Sequence, residues 1–153
     1  MKPKYFLSVL GPSRSGTTVL TAIIDSHPNI EIAFEPFASQ SRENNILEPY
    51  ENIDRFLQDM NSKYACQYNS QEVVGMKNTT GPQGETDWVK STLSSFSNQI
   101  NTKIVIIIRD PVESYLSNVS ANQKWWRKDL DLNHDIGLMS AIVKFENDLL
   151  FLK

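Results

Sequence analysis

The segment from Leu10 to Leu20, which reads LGPSRSGTTVL, constrains the fold of this chain more than any other part of its sequence. An apolar run from Tyr5 to Leu10 leads into a glycine-containing turn, and an apolar-periodic helix pattern begins directly afterwards at Thr17. Strand, tight loop and helix N-terminus in that order form an anion cradle. Loop N–H groups converge there, and the helix dipole adds about half a positive charge at its first turn. The segment therefore predicts a site for a phosphate-like anion.

The loop departs from the Walker A motif at a position that this motif requires. Gly11 and Gly16 have the Walker spacing, but Thr17 follows Gly16 where the motif has lysine. The cation of this loop comes earlier, at Arg14. The sequence thus predicts a phosphate loop without the residue that grips the β- and γ-phosphates of a nucleoside triphosphate.

Composition limits the class of protein. The length of 153 residues favours a single domain over 1–153. The net charge of −3 argues against a general nucleic-acid-binding surface, so an anion site must be local. Apolar runs such as 104–108 are too short to span a membrane. No Cys/His cluster has zinc spacing, and we expect no metal site. These features predict a cytoplasmic protein without nucleic-acid or membrane partners.

Hydrophobic periodicity predicts strands that alternate with helices. Strands are expected over 5–10, 30–34, 73–76 and 103–109, and helices over 17–26 and 85–97. The helical stripes are Val19, Leu20, Ile23 and Ile24; Ile53, Phe56, Leu57 and Met60; Trp88, Val89, Leu93 and Phe96; Val112, Tyr115, Leu116 and Val119; and Ile142, Phe145, Leu149 and Leu152. The run 104–108 is continuously apolar, which is typical of a strand covered on both faces. We therefore expect a three-layer α/β fold with a mainly parallel central sheet flanked by helices.

A second informative segment, Arg109-Asp110-Pro111, directly follows the last predicted strand. Ligands of parallel α/β sheets bind outside the carboxyl ends of the strands, so Arg109 falls on the same edge as the first loop. Pro111 is suited to the first turn of a helix, which places Ser117 about two turns into that helix. A guanidinium and a hydroxyl could then close on one anion. Asp110 could equally be a Walker-B-like carboxylate.

Together, the loop 11–20, the segment 109–111 and the pair Arg109 and Ser117 resemble the sulfotransferases that use 3′-phosphoadenosine 5′-phosphosulfate (PAPS). The resemblance covers roughly residues 5 to 120. His27-Pro28 and the following Glu35 are most similar to the tyrosylprotein and related bacterial sulfotransferases. The resemblance implies a P-loop-type fold, PAPS as donor, adenosine 3′,5′-bisphosphate as product and no required metal.

The same resemblance implies a role for each motif residue. The 5′-phosphosulfate would be held by the loop residues Arg14, Ser15, Gly16, Thr17 and Thr18, and the 3′-phosphate by Arg109 and Ser117. Glu35 matches the family's catalytic base, and Lys77 occupies a position similar to its catalytic lysine. Arg14 or Lys77 would stabilise the charge that builds on the leaving oxygen. A sulfuryl group in transfer carries less negative charge than a phosphoryl group, so fixed cations and amides can act without Mg²⁺.

Several alternatives stay open at the level of sequence. The acceptor could be a sugar, a tyrosyl side chain or a small alcohol. A P-loop nucleotide kinase or hydrolase is a rival, which Thr17 disfavours, and so is a non-catalytic nucleotide-binding module. The family usually extends beyond this length, so the chain could be a fragment, a compact variant or a protomer completed by another chain. The stripe within 142–152 would favour a homo-oligomer if nothing else covers it.

Overall fold

The computed structural model describes residues 2–36, 48–64, 70–80 and 83–121. Four strands and four helices alternate within these ranges. The strands are β1 (Tyr5–Pro12), β2 (Ile30–Phe34), β3 (Val73–Thr80) and β4 (Asn101–Ile106). The helices are α1 (Thr17–Asp25), α2 (Ile53–Tyr64), α3 (Gln83–Ser97) and α4 (Pro111–Ala121). This order confirms the alternation predicted from the sequence.

The four described strands form one parallel sheet in the order β2-β3-β1-β4. Parallel neighbours need a crossover connection, and α1, α2 and α3 each lie between two strands along the chain, while α4 follows β4. Consecutive residues of β1 face opposite sides of the sheet. Leu10 belongs to a core that includes side chains of α2 and α3, while Gly11 faces Thr17 of α1. Helices therefore cover both faces, and the predicted three-layer α/β fold is confirmed.

The main core lies between the sheet and helices α2 and α3. Phe6, Phe56 and Phe96 are fully buried and meet edge to face, with ring centroids 4.9–5.5 Å apart. Such arrangements match the positive ring edge with the negative ring face. The stripes predicted for the two helices are all buried: Ile53, Phe56, Leu57 and Met60, and Trp88, Val89, Leu93 and Phe96. This core fixes the sheet that carries the strand ends described below.

The predicted inward stripe of α1 is wrong at two of its four positions, while Leu20 and Ile24 are half-buried. Val19 and Ile23 are each 65% exposed, whereas Thr17 and Thr21 are buried. The packing of Thr17 explains the rotation, because its Cγ2 would lie 3.0 Å from a Cβ on Gly11. The turn that joins β1 to α1 therefore determines which face of α1 meets the sheet. The positions of the apolar residues in α1 do not determine it.

The prediction that the last strand is covered on both faces is also wrong for the described part of the chain. Ile104 and Ile106 are 50% and 40% exposed. Among the described strands, β4 pairs only with β1 and lies at an edge of the sheet. Two residues of the predicted α4 stripe, Val112 and Leu116, are exposed as well.

The helical stripe predicted within 142–152 lies outside the described residues, and so does the self-association expected from it.

Within the described ranges, every helix is too short or too polar to cross a bilayer.

Candidate functional site

The carboxyl ends of the four described strands meet at one edge of the sheet because all four are parallel. The register pairs Pro12 with Thr80, and Phe34 with Lys77. The loop after β1, Glu35 after β2, the last residues of β3 and Arg109 after β4 therefore occur along this edge. In open α/β sheets this edge is where ligands bind.

The loop between β1 and α1 leaves backbone donors without acceptors. Arg14 and Gly16 adopt left-handed conformations, with φ of 68° and 100°. The Ser15 N–H donates to the Pro12 carbonyl at 3.1 Å, which closes the turn. In the described part of the chain, the N–H groups of Gly16, Thr17 and Thr18 meet no acceptor, and no side chain caps α1. An anion is the natural partner for such groups at a helix N-terminus.

Gly11 and Ser15 shape the inner wall of this loop. A Cβ on Gly11 would lie 2.6 Å from the Ile107 carbonyl oxygen and 2.8 Å from Ser15 Oγ, so only glycine fits. Ser15 is 8% exposed, and its Oγ has no hydrogen-bond partner among the described residues. A buried hydroxyl without a partner costs about 1–3 kcal/mol. A bound anion in the loop would supply that partner, so these residues fit a phosphosulfate or phosphate group.

Arg14 joins the two residues predicted to hold the 3′-phosphate. The Arg14 Nε donates to Ser117 Oγ at 3.2 Å, and Arg109 Nη1 donates to the Arg14 carbonyl oxygen at 3.2 Å. Arg109 Nε also donates to Glu113 Oε2 in the first turn of α4, at 3.1 Å. The structure thus brings together Arg14, Arg109 and Ser117. It links the last two through Arg14, although the sequence assigned Arg14 to the other end of the nucleotide.

Asp110 caps α4. Its Oδ1 accepts the N–H groups of Val112 and Glu113 at 2.9 and 3.0 Å, and Pro111 occupies the first helical position. This arrangement is an N-cap, the role in which a short acidic side chain is favoured. The described residues contain no group of three His, Cys, Asp or Glu side chains that could hold a metal ion. The Walker-B alternative for Asp110 gains no support from this geometry.

Glu35 is fixed to β3 by its main chain and its side chain. Its φ is 44°, an uncommon value for a non-glycine residue, and its N–H donates to the Lys77 carbonyl oxygen at 2.8 Å. The Lys77 ammonium donates to Glu35 Oε1 in an ion pair. Thr79 Oγ1 approaches the same oxygen at 3.4 Å, which is long for a hydrogen bond. The structure thus joins two sequence-predicted residues, Glu35 and Lys77, in one cluster.

The two members of this ion pair differ sharply in exposure. The Lys77 side chain is 4% exposed, whereas the Glu35 side chain is 35% exposed. Of the contacts among described residues, those of the Glu35 carboxylate all reach Oε1. Oε2 therefore has no partner among the described residues, while Lys77 is committed to the carboxylate.

Sequence analysis did not identify Thr79 or Glu113. Thr79 lies two residues after Lys77 on β3, so strand alternation places both on one face of the sheet. Glu113 lies four residues after Arg109, the spacing of a helical ion pair. Either spacing could have drawn attention to these residues. His27 belongs to a turn, in which its Nδ1 accepts the Asn29 N–H.

Comparisons with known proteins identify the family of this chain. A family model described as "Sulfotransferase domain" matches residues 6–146. No curated protein matches the chain significantly in sequence.

In structure, 11 chains of solved proteins match this chain. The "Structure of the Pnkp1/Rnl/Hen1 RNA repair complex" contains a chain that is 8% identical, with a TM-score of 0.52. The alignment covers 97% of this chain and 46% of that one, so this chain spans under half of its length. At such identity the likeness concerns the fold alone. The "Crystal structure of APE1195" is 9% identical, with coverage of 100% and 99% and a TM-score of 0.37, too low to support an argument.

Proposed function

Because this chain belongs to the sulfotransferase family, we propose that it transfers a sulfuryl group from PAPS to the hydroxyl group of an acceptor. The observation that carries this proposal is the loop 11–18, where free N–H groups and the unpartnered Ser15 Oγ lie beside a cluster of cationic and hydroxyl groups. PAPS presents two anionic groups, one on each side of its ribose. The site offers donors for both.

The residues of the loop would hold the 5′-phosphosulfate. Ser15, Gly16, Thr17 and Thr18 contribute N–H and hydroxyl donors, and the N-terminus of α1 adds its dipole. Arg109 and Ser117 would hold the 3′-phosphate, and Arg14, which contacts both residues, would lie between the two anionic groups. Preorganised donors of this kind stabilise developing charge without any reorganisation during the reaction.

Glu35 is the proposed general base. In the transfer, the acceptor oxygen forms a bond to sulfur while the bond from sulfur to the 5′-phosphate oxygen breaks, and adenosine 3′,5′-bisphosphate leaves. The acceptor proton goes to Glu35, whose exposed Oε2 is free to receive it. Arg14 and the loop N–H groups would stabilise the charge on the leaving oxygen. Lys77 would act by holding Glu35 in place, because its ammonium is buried against that carboxylate.

The rival functions make different demands on the same residues. A nucleotide kinase or hydrolase needs Mg²⁺ and a lysine at the end of the loop, where this chain has Thr17, and here Asp110 serves as a helix cap. A non-catalytic nucleotide-binding module would bind the bisphosphate but would transfer nothing. The proposed acceptor is a sugar, a tyrosyl side chain or a small alcohol.

Calorimetric titration separates these functions. We expect adenosine 3′,5′-bisphosphate to bind without metal and to outcompete ATP. Tighter binding of ATP with Mg²⁺ would overturn the proposal. Incubation with PAPS and a panel of phenols, sugars and tyrosyl peptides, followed by mass spectrometry, then tests transfer. Bisphosphate binding with no sulfated product across the panel would favour the non-catalytic module.

A further inference from the structure

The segment 107–109, which directly follows β4, contacts the end of β1 and the anion loop. The Ile107 N–H donates to the Leu10 carbonyl oxygen at 2.9 Å, where β1 leads into the loop. The Ile107 carbonyl oxygen lies so close to Gly11 that a Cβ there would approach it to 2.6 Å. Two residues later, Arg109 Nη1 donates to the Arg14 carbonyl oxygen at 3.2 Å. The segment 107–109 therefore contacts the loop region at three positions, Leu10, Gly11 and Arg14.

Arg109 contacts the loop at Arg14, whose backbone conformation is unfavourable. Arg14 has a φ of 68°, a left-handed conformation that is unfavourable for a residue with a Cβ. Such a conformation persists only when neighbouring contacts hold it. The hydrogen bond from Arg109 to the Arg14 carbonyl oxygen is a charge-assisted contact at that residue.

The Arg109 guanidinium divides its donors between different partners. Nε donates to Glu113, which orients the plane of the group, and Nη1 donates to Arg14. Among the described residues, Nη2 donates to none. One side chain can therefore hold the loop with Nη1 and present Nη2 to an anion at the same time.

We propose that Arg109 is a positioning residue for the anion loop, in addition to its proposed contact with the 3′-phosphate. This inference rests on the proposed function for the second contact only. Through Arg109, the loop that takes the 5′-phosphosulfate and the site of the 3′-phosphate share one guanidinium. A nucleotide that lacks the 3′-phosphate still depends on Arg109 for an ordered loop.

Hydrogen exchange of the ligand-free protein tests the positioning role without any nucleotide. We expect Arg109→Ala to raise the exchange rate of amides in the peptide 11–20 by about fivefold, the effect of one lost hydrogen bond of moderate strength. Ser117→Ala is the matched control, since among the described residues the Ser117 hydroxyl group bonds to the side chain of Arg14 and not to the loop backbone. It should leave the exchange of this peptide unchanged. Arg109→Lys keeps the charge but lacks the planar fork, so its exchange should fall between the other two.

Nucleotide titration completes the test. We expect Arg109→Ala to weaken adenosine 5′-monophosphate about fivefold, and adenosine 3′,5′-bisphosphate by about a further tenfold or more. Ser117→Ala should weaken only the bisphosphate. Wild-type exchange and unchanged monophosphate affinity in Arg109→Ala would overturn the positioning role. Equal losses for both nucleotides would instead refute the 3′-phosphate contact, and a wild-type chain that binds neither nucleotide would refute the proposed function while exchange still decides the positioning role.

Discussion

The ammonium group of Lys77 is buried against the carboxylate of Glu35, which is itself one-third exposed. Because the two side chains differ in exposure, replacing Glu35 and replacing Lys77 should lower the free energy of unfolding by different amounts. A buried ammonium needs its partner, whereas a partly exposed carboxylate can be hydrated when its partner is lost.

We predict that Glu35→Ala destabilises the protein more than Lys77→Met does. Glu35→Ala leaves an uncompensated charge in the interior, and we expect a loss of about 3 kcal/mol in the free energy of unfolding. Lys77→Met fills a similar volume with apolar atoms, so its loss should be smaller. Urea unfolding of both variants measures the difference. Equal losses, or a larger one for Lys77→Met, would contradict the buried-pair interpretation.

For catalysis, Glu35→Gln should separate binding from chemistry. The amide keeps the shape of the side chain but cannot take a proton. Once an acceptor has been found, we expect sulfation to fall about 10²–10⁴-fold while bisphosphate affinity is unchanged. Rates by mass spectrometry and affinity by calorimetry provide the two measurements. Normal turnover by this variant would assign the base to another residue.

Thr79 offers a finer test of how Glu35 is held. Its hydroxyl lies 3.4 Å from Glu35 Oε1, a weak contact, so Thr79→Val should lower kcat by only about fivefold. Thr79→Ser keeps the hydroxyl and should restore most of the rate, and neither variant should change bisphosphate affinity. If valine and serine lower kcat equally, the hydroxyl does not orient the base.

Gly11→Ala and Gly16→Ala should destabilise the loop for different reasons, the first through a steric clash and the second through backbone strain. In Gly11→Ala the new Cβ meets a backbone oxygen at 2.6 Å, so the loop must shift. We expect a loss of about 1–3 kcal/mol in stability and a large loss of bisphosphate affinity. Gly16 has a φ of 100° but open space around it, so Gly16→Ala should cost only about 1–2 kcal/mol of backbone strain. Thermal unfolding and calorimetry compare them. Full bisphosphate affinity in Gly11→Ala would show that this close approach is unimportant.

The role of Asp110 can be tested by conserving the cap. Asparagine caps helices as well as aspartate does, so Asp110→Asn should keep both stability and bisphosphate affinity. Asp110→Ala should lose about 1 kcal/mol of stability, because two N–H groups of α4 lose their acceptor. If Asp110→Asn instead abolished a Mg²⁺-dependent activity, the kinase or hydrolase alternative would gain support.

The helices whose burial was predicted well, α2 and α3, are those whose apolar side chains form the main core with the sheet. In α2 and α3 the spacing of residues such as Phe56 and Phe96 specifies the inward face, since these apolar side chains form the core against the sheet. In α1 the preceding loop imposes the rotation, and Thr17 and Thr21 turn inward despite the apolar Val19 and Ile23. Periodicity fails where a covalent neighbour with a fixed geometry overrides it.

The same distinction applies to the strands. The segment 104–108 reads as buried on both faces, yet among the described strands β4 has one neighbour. Strand composition records the preference of side chains for a pleated, apolar surface, and the position of a strand within the sheet depends on pairing with distant residues. In contrast, β2 was predicted over its observed range, Ile30–Phe34, because turn residues bound it on its N-terminal side.

By itself, the sequence determined the order of the elements, the anion loop and the residues that fall at the strand ends. These features depend on backbone preferences and side-chain periods over a few neighbouring residues. Only the tertiary structure decided which side chains meet: Arg14 with Ser117, 103 positions apart, Arg109 with the Arg14 carbonyl, 95 apart, and Lys77 with Glu35, 42 apart. Such contacts follow from strand order and register, which a chain acquires only when its whole sheet has formed.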